Sequence, residues 1–209
     1  MPCQTRHKIP IISRLLPALL PVAVAGFLFL GSCSVFTQAK AFDRFVHSRF
    51  TLRSARLLSV GNVDVSQKES YSQLDFQQMV TLGMQLLKGN LPAVMEIRVE
   101  GHNPAQEKAS ISGTDWILLV KKDTLATGTI DKPLTIPAGE TLQFPVIARF
   151  NFGKLLASGS LQQILNTFLS DNKQQAYRTG IVFKIRPWYR SGKKTKKFPA
   201  FLTIRPKMP

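Results

Sequence analysis

Apolar and polar residues alternate over several short stretches of the chain. The clearest is 92–102, where Met95, Ile97 and Val99 take one side and mainly charged residues the other. Such alternation, over about four to eight residues, is typical of a β-strand with one buried face. Further strand-like stretches are 49–67, 115–122, 124–130, 142–150, 181–185 and 198–204. The chain is therefore predicted to be mainly β.

Two stretches change to the helical period. The first begins near Ser72 and Asp75, which fit an N-cap and an acid in the first turn, and ends at Gly89-Asn90. Its apolar stripe consists of Phe76, Met79, Val80, Gly83, Leu86 and Leu87. We expect this face to pack on the domain core, with a partner groove as the alternative. The second helix is predicted over residues 155–169.

Short strands with turn signals between them, and one or two helices, indicate an antiparallel β-sandwich. Pro145 interrupts the stretch 142–150 and predicts an edge strand or a bulge, because proline has no N–H for the ladder. Asn103-Pro104 is predicted to be a structural turn, since asparagine bonds back to the backbone and proline fixes φ. Trp116 has apolar neighbours, so we expect it in the core and not on a binding platform.

The first 32 residues have the organisation of a bacterial export signal. Its basic residues are Arg6, Lys8 and Arg14. An apolar run at 15–30 follows, which is shorter than the roughly 20 residues of a membrane-spanning helix. Pro17 and Pro21 further weaken a permanent membrane helix. We therefore expect residues 1–32 to be removed from the mature protein.

The apolar run ends in Leu30, Gly31, Ser32 and Cys33. This sequence resembles the lipobox of bacterial lipoproteins: an aliphatic residue, two small residues and a cysteine. The resemblance implies that Cys33 receives diacylglycerol, that cleavage falls between Ser32 and Cys33, and that the new amino group is acylated too. Two or three acyl chains hold a protein stably at a membrane. An uncleaved anchor and cleavage without lipid remain the alternatives.

The lipoprotein resemblance divides the chain into a signal peptide at 1–32, a lipid anchor and tether at 33–48, and a β domain at 49–209. Apolar residues indicate that part of the tether packs; they are Phe36, Phe42, Phe45 and Val46. Ser34 stands where lipoproteins of the inner membrane often carry aspartate. The resemblance thus implies a protein of the cell envelope, on the periplasmic face of the bacterial outer membrane.

The positive charge is concentrated at the C-terminal end. The chain has 28 basic and 12 acidic side chains, a net charge of +16. Residues 172–209 contain eleven lysines and arginines and no acid. The densest part lies between two strand-like stretches and is predicted to be a basic hairpin tip. It contains Arg190, Lys193, Lys194, Lys196 and Lys197.

Two interpretations of this basic stretch are open. In the first, it contacts anionic lipid headgroups, lipopolysaccharide phosphates or an acidic envelope protein. In the second, its lysines only keep a solvated loop soluble. A nucleic-acid partner is disfavoured, because an exported protein is separated from the nucleic acids of the cytosol and because no recognised nucleic-acid-binding motif accompanies the charge.

No catalytic or metal-binding motif is found in the sequence. Two of the three histidines, His47 and His102, are isolated, and there is no Gly-x-Ser-x-Gly and no phosphate-binding glycine loop. Glu96 and Glu100 share a strand face, but Arg98 between them indicates cross-strand charge pairing and not an acid/base pair. We therefore predict a protein without catalytic activity, cofactor or metal.

Residues 91–150 resemble the late-embryogenesis-abundant type 2 domain, also called the water-stress domain. The matching segments are VEGHNP at 99–104, ISGTDWIL at 111–118, ATG at 126–128, LTIPAGET at 134–141 and FPV at 144–146. Together they supply the family's strand ending in Asn-Pro, the next strand, a short segment with a late glycine, and a strand with an internal proline. Trp116 and residues 121–123 depart from the family pattern.

The type 2 resemblance implies an immunoglobulin-like or fibronectin-type-III-like β-sandwich with a helix against one side. It also implies a non-catalytic binding or protective module of the kind associated with desiccation and stress. The alternative is a structural or assembly subunit of an envelope complex, docking through the basic hairpin. A family fold alone does not decide between these functions.

Overall fold

The computed structural model describes residues 32–120, 122–152, 168–169, 180–191 and 194–206. Within them the protein is mainly β, as predicted, and contains two α-helices, one of which coincides with a predicted helix. The predicted signal peptide lies outside the described residues except for Ser32. Of the helix predicted at 155–169, only Phe168 and Leu169 are described, and both are helical.

The described part contains eleven strands. They are β1 (Arg49–Val60), β2 (Val63–Asp64), β3 (Pro92–His102), β4 (Ala109–Ile111), β5 (Gly113–Val120), β6 (Asp123–Ile130), β7 (Leu134–Ile136), β8 (Thr141–Asn151), β9 (Ile181–Ser191), β10 (Lys194–Lys197) and β11 (Leu202–Ile204). Helix α1 spans Ser32–Val46 and helix α2 spans Phe76–Leu87, with a short 3-10 turn at Tyr71–Gln73 before α2.

The strands form two larger antiparallel sheets. The first has the order β2-β1-β3-β8, and the second the order β10-β9-β5-β6, with β11 also paired to β9. Strands β4 and β7 make a separate antiparallel pair. Pro145 lies in β8, at the edge of the first sheet, so the predicted edge position is confirmed. An edge strand tolerates proline because the N–H of every second residue faces away from the neighbouring strand.

Both sheets contribute side chains to one apolar core. The alternating residues of β3 are fully buried; they are Met95, Ile97 and Val99. Trp116 of β5 is buried and its ring lies 5.8 Å from that of Phe183, which confirms its predicted core position. Gly128 makes room for the indole, because a Cβ there would lie 2.4 Å from Cζ2 of Trp116.

Helix α2 packs on the core with a face that overlaps the predicted one only in part. Leu82 is fully buried and Met79 packs against the core. Three residues of the predicted face, Phe76, Val80 and Leu87, are exposed instead. The helix is apolar on more than one side, so the helical period fits two faces and only packing distinguishes them.

Helix α2 also begins later than predicted. Asp75 is the N-cap: its Oδ1 accepts the Gln78 N–H at 2.8 Å, and Gln78 Oε1 accepts the Asp75 N–H at 3.1 Å. This reciprocal pair is a capping box, which satisfies two donors at once. Ser72 lies in the 3-10 turn and makes no such pair, so the sequence prediction of Ser72 as N-cap is wrong.

The segment predicted as a tether is helical up to Val46. Ala41 and Phe45 are buried and Phe42 is partly buried against the core, which confirms that part of this segment packs. Helix α1 contacts β4 and β9. In the described part of the chain, neither helix combines the length and apolar character needed to cross a membrane.

Candidate functional site

The basic stretch near the C-terminus forms an antiparallel hairpin of β9 and β10. Ser191 pairs with Lys194, so residues 192–193 connect the two strands. All five basic residues were expected at the tip, yet Arg190 lies within strand β9 and Lys194, Lys196 and Lys197 lie within strand β10. The lysine-rich sequence of β10 can form a strand because β10 lies at the edge of the sheet, where all four of its residues are exposed. Lys193 lies outside the described residues.

The lysines of β10 divide between the two faces of the sheet, because residues paired across strands point to the same side. Lys196 pairs with Tyr189, and Lys194 lies two residues earlier on the same face. Neither makes an ion pair with another described residue. Lys197 points to the opposite face, where its Nζ lies 2.8 Å from Oδ2 of Asp115.

Arg190, at the end of β9, has a weak partner. Its Nη2 lies 3.4 Å from Oδ1 of Asp131, and the two side chains are 61% and 69% exposed. An ion pair this exposed stabilises a protein by less than about 1 kcal/mol. Arg190 therefore remains available to another anion. We call Arg190, Lys194 and Lys196 the basic edge.

Helix α1 packs beside the basic edge. The ring of Phe42 lies 4.8 Å from that of Tyr189 and 6.2 Å from that of Phe198. A helix rises about 1.5 Å per residue, so Cys33 lies about 12 Å along the helix from Ala41. The structure thus places the second half of α1 beside the basic edge, with Cys33 about 14 Å further along the helix from Phe42.

The contact between Phe42 and Tyr189 was not found in the sequence. The spacing of Phe42 and Phe45 was the available signal, because a separation of three places both on one face of a helix. Tyr189 gave no signal, since its role depends on which strand pairs with β9.

Asp115 carries a polar network on the opposite face of the second sheet. Its Oδ2 accepts from Arg186 Nη2 at 2.8 Å and from Lys197 Nζ at 2.8 Å, while Thr129 donates to Oδ1 at 3.3 Å. Burial alone would raise the pKa of the Asp115 carboxyl, but the hydrogen bonds and charges of Lys197 and Arg186 outweigh it and lower the pKa. The network fastens β10 to β5 and β9, so Lys197 has a structural role.

Replacing Asp115 with asparagine is expected to lower the free energy of unfolding by about 1 to 2 kcal/mol at pH 7, because two cations lose their anion. A carboxyl whose pKa is lowered by folding stabilises the protein above its unfolded pKa of about 3.9, and this contribution is lost as pH falls through the folded value. Urea unfolding followed by tryptophan fluorescence should therefore show the difference shrinking below about pH 4. The control variant Asp131→Asn, which removes the acid of an exposed ion pair, should change the free energy of unfolding little.

A difference between wild type and Asp115→Asn that stays constant down to acid pH would contradict this account. It would assign the destabilisation to altered packing and not to the charge of Asp115.

The predicted turn at Asn103-Pro104 follows directly after β3. Asn103 is fully buried, whereas Pro104 is exposed. The Asn103 Oδ1 accepts the N–H of Ala105 at 3.1 Å, which closes a local turn. Its Nδ2 donates at 2.9, 3.2 and 3.0 Å to the carbonyl oxygens of Glu107, Ile136 and Pro137. Asn103 thus joins its own loop to the end of β7, which is a structural role.

The acidic residues considered for catalysis are held by arginines. Glu100 accepts two bonds from Arg53 across the strands, at 2.6 and 2.7 Å. Glu96 accepts a hydrogen bond from Arg98 of its own strand at 3.0 Å. The predicted cross-strand charge pairing is therefore found for Glu100 and not for Glu96. Within the described ranges, no three His, Cys, Asp or Glu side chains come together as a metal site.

No family model and no curated protein matches this chain. Two solved structures are weakly similar. A protein from Archaeoglobus fulgidus is 13% identical, with a TM-score of 0.32, over 76% of this chain and 100% of that chain. The putative ApaA protein from Bordetella pertussis is 12% identical, with a TM-score of 0.29, over 76% of this chain and 94% of that chain. At these scores the likeness carries no conclusion about function.

Proposed function

We propose that this chain is a lipid-anchored, non-catalytic protein of the bacterial cell envelope whose basic edge lies against an anionic membrane surface. The observation that carries the proposal is the packing of α1 beside the hairpin of β9 and β10, through Phe42 and Tyr189. Acylation of Cys33, nine residues before Phe42 on that helix, would hold the hairpin within about one helix length of the membrane.

The lipid anchor and the basic edge would contribute differently to membrane binding: the anchor to its affinity and the basic edge to its orientation. Two or three acyl chains provide the affinity for the bilayer. A basic side chain close to an anionic surface adds about 1 kcal/mol, so Lys194 and Lys196, which share one face of the sheet, contribute up to about 2 kcal/mol. That is enough to favour one orientation of an already anchored protein. The expected surface is the periplasmic face of the outer membrane, as Ser34 after the cysteine implies.

We further propose that the two sheets form the immunoglobulin-like or fibronectin-type-III-like sandwich that the type 2 resemblance implies. Two antiparallel sheets that share one core support this arrangement. A protective role under desiccation or stress rests on the resemblance alone, and it stays a prediction.

Removing the two unpaired lysines of the basic edge, Lys194→Ala with Lys196→Ala, is expected to weaken binding to anionic vesicles about 30-fold. The reason is the loss of about 2 kcal/mol of attraction between these lysines and the lipid headgroups. The measurement is co-sedimentation of the unlipidated protein with phosphatidylglycerol-containing vesicles at low salt. Binding should also fall as salt is raised, because salt screens exposed charges.

The matched control is Lys68→Ala with Lys122→Ala, which removes the same charge outside the hairpin and should leave vesicle binding nearly intact. Equal losses in both double variants would reduce the effect to net charge and contradict the proposed surface. If the wild-type protein did not bind these vesicles at all, the proposed surface would also be contradicted. An acidic envelope protein would then be the better candidate partner of the basic edge.

A further inference from the structure

The second half of helix α1 contacts two different strands through aromatic side chains. Phe45 is fully buried, and its ring lies 5.0 Å from that of Phe50 in β1. Phe42, three residues earlier and on the same side of the helix, contacts Tyr189 in β9. The helix is therefore attached to both of the larger sheets.

A third contact of α1 is polar and involves a loop. Arg44 forms an ion pair with Glu107, in the loop before β4, and its Nη1 donates to the carbonyl oxygen of Lys108 at 3.4 Å. Asn103 holds the same loop, because its Nδ2 donates to the carbonyl oxygen of Glu107 at 2.9 Å. A rod attached at one or two points can still pivot, whereas contacts with three separate elements fix its direction.

The connection between α1 and β1 is short and hydrogen-bonded. Only His47 and Ser48 separate the helix from the strand. The N–H of Ser48 donates to the carbonyl oxygen of Phe45 at 3.1 Å, and its Oγ donates to that of Arg44 at 2.9 Å. These bonds occupy carbonyl groups of the last turn, which have no partner within the helix. The helix thus passes into β1 without a free linker.

The first half of α1 extends away from these contacts. Residues 37–40 are exposed, whereas Ala41 is buried. An isolated helix of this length is marginal in water, because forming its first turn is costly. In α1 the packed half supplies that first turn, and further turns add to it at little cost. The helix begins at Ser32, so it includes Cys33.

We propose that α1 is a rigid stalk, fixed at these three contacts, that limits how far the basic edge can lie from the lipid on Cys33. This inference rests on the proposed function, because it takes Cys33 as the acylated residue. The nine residues from Cys33 to Phe42 span about 14 Å as a helix, whereas a flexible tether of nine residues reaches about 30 Å. Salt screens exposed charges beyond about 8 Å at physiological ionic strength. The helix therefore keeps the basic edge much closer to the range in which it attracts anionic headgroups.

The distance between two spin labels tests the stalk without requiring acylation. The full chain with Cys3→Ser and Cys33→Ser, in a mild detergent, would carry labels at Ser34→Cys in α1 and at Thr127→Cys, an exposed position in β6. The stalk predicts one distance with a spread of a few Å. A flexible tether would spread the distance over about 10 Å or more, and this result would overturn the stalk.

Proline in the exposed half should make the stalk flexible without disturbing the sheets. Ala39→Pro removes a helical hydrogen bond and disfavours the helical conformation of the preceding residue. We expect the distance to spread over about 10 Å, while the thermal midpoint stays within a few degrees of the wild type, because Ala39 is exposed. Ala39→Gln keeps a good helix former at the same position and should leave the distance narrow. A narrow distance in Ala39→Pro would show that the helix does not fix Ser34, and would contradict the proposal.

Removal of two of the three contacts tests the attachment itself. Phe42→Ser with Arg44→Glu leaves Phe45 in the core but removes the contact with β9 and repels Glu107. The same pair of labels should then give a broad distance. Arg53→Glu, which reverses the charge in a pair with Glu100 instead, is the matched control and should leave the distance narrow. An unchanged distance in the double variant would overturn the attachment at three points.

The mature protein in vesicles tests the distance from the lipid. When Cys33 is acylated, Thr195→Cys in β10 provides the one free thiol, and a fluorophore there removes no lysine. A quencher on the headgroups of phosphatidylglycerol vesicles should quench it at physiological salt, and Ala39→Pro should lose about half of this quenching. Equal quenching in both proteins would overturn the role of the stalk. A narrow label distance in a protein whose Cys33 is never acylated would overturn the proposed function alone.

Discussion

Alanine at position 103 is expected to lower the free energy of unfolding by about 3 to 5 kcal/mol, which is a third or more of the stability of an ordinary domain. The wild-type Asn103 amide is fully buried and makes four hydrogen bonds. Alanine would remove the side-chain partner of the Glu107 and Ile136 oxygens and of the Ala105 N–H, whereas the Pro137 oxygen would keep the N–H of Glu140. Each buried polar group left in this way costs about 1 to 3 kcal/mol. Chemical denaturation followed by circular dichroism measures the loss.

Two further variants identify the amide as the cause. Asn103→Asp has the same shape but cannot donate to the carbonyl oxygens, so it should be at least as destabilising as alanine at pH 7. Pro104→Ala changes the exposed neighbour and should alter stability by less than about 1 kcal/mol. If Asn103→Asp were as stable as wild type, the three donated hydrogen bonds would not matter to the fold.

Cys33→Ser is expected to abolish lipid attachment completely, because a hydroxyl does not replace the sulfur as the acceptor of diacylglycerol. The variant should incorporate no labelled palmitate and should accumulate as a precursor that still carries residues 1–32. It should also disappear from the outer-membrane fraction. Metabolic labelling, gel mobility and fractionation of the envelope measure these three results.

Cys3→Ser provides the matched control, since it removes the other thiol of the chain, in the segment that the proposal assigns to the signal peptide. It should be labelled, processed and fractionated as the wild type is. Normal maturation and envelope retention of Cys33→Ser would contradict the lipoprotein interpretation and, with it, the orientation proposed for the basic edge.

The longer strands were predicted well because each depends on a local pattern, whereas the short strands β4, β7 and β10 were not predicted. The predicted bounds of the stretch 92–102 agree with β3, and Pro145 lies at a sheet edge as expected. Burial on one face imposes a period of two on the sequence itself, so it is visible without knowledge of the partner strand. The hydrogen bonds of the Asn103 side chain are different, because two of their acceptors, Ile136 and Pro137, are more than thirty residues away.

Helix α2 and strand β10 show where local patterns fail. Helix α2 has apolar residues on more than one face, and the face that includes Leu82 is buried because it is the one that contacts the core. In β10 the lysines predict a solvated tip, yet backbone pairing with β9 extends the strand to Lys197. Neither outcome is encoded in the residues of the element alone, because both depend on a neighbour distant in the sequence.

The sequence by itself determined the mainly β character, the positions of most strands, the core place of Trp116 and the concentration of charge near the C-terminus. These follow from periodicity and composition, which act within a few residues. Only the tertiary structure decided that α1 packs beside the basic edge, that Lys197 is held by Asp115, and that Phe76 and Leu87 of α2 are exposed. Such facts depend on contacts between distant segments, which the free energy of the whole fold selects.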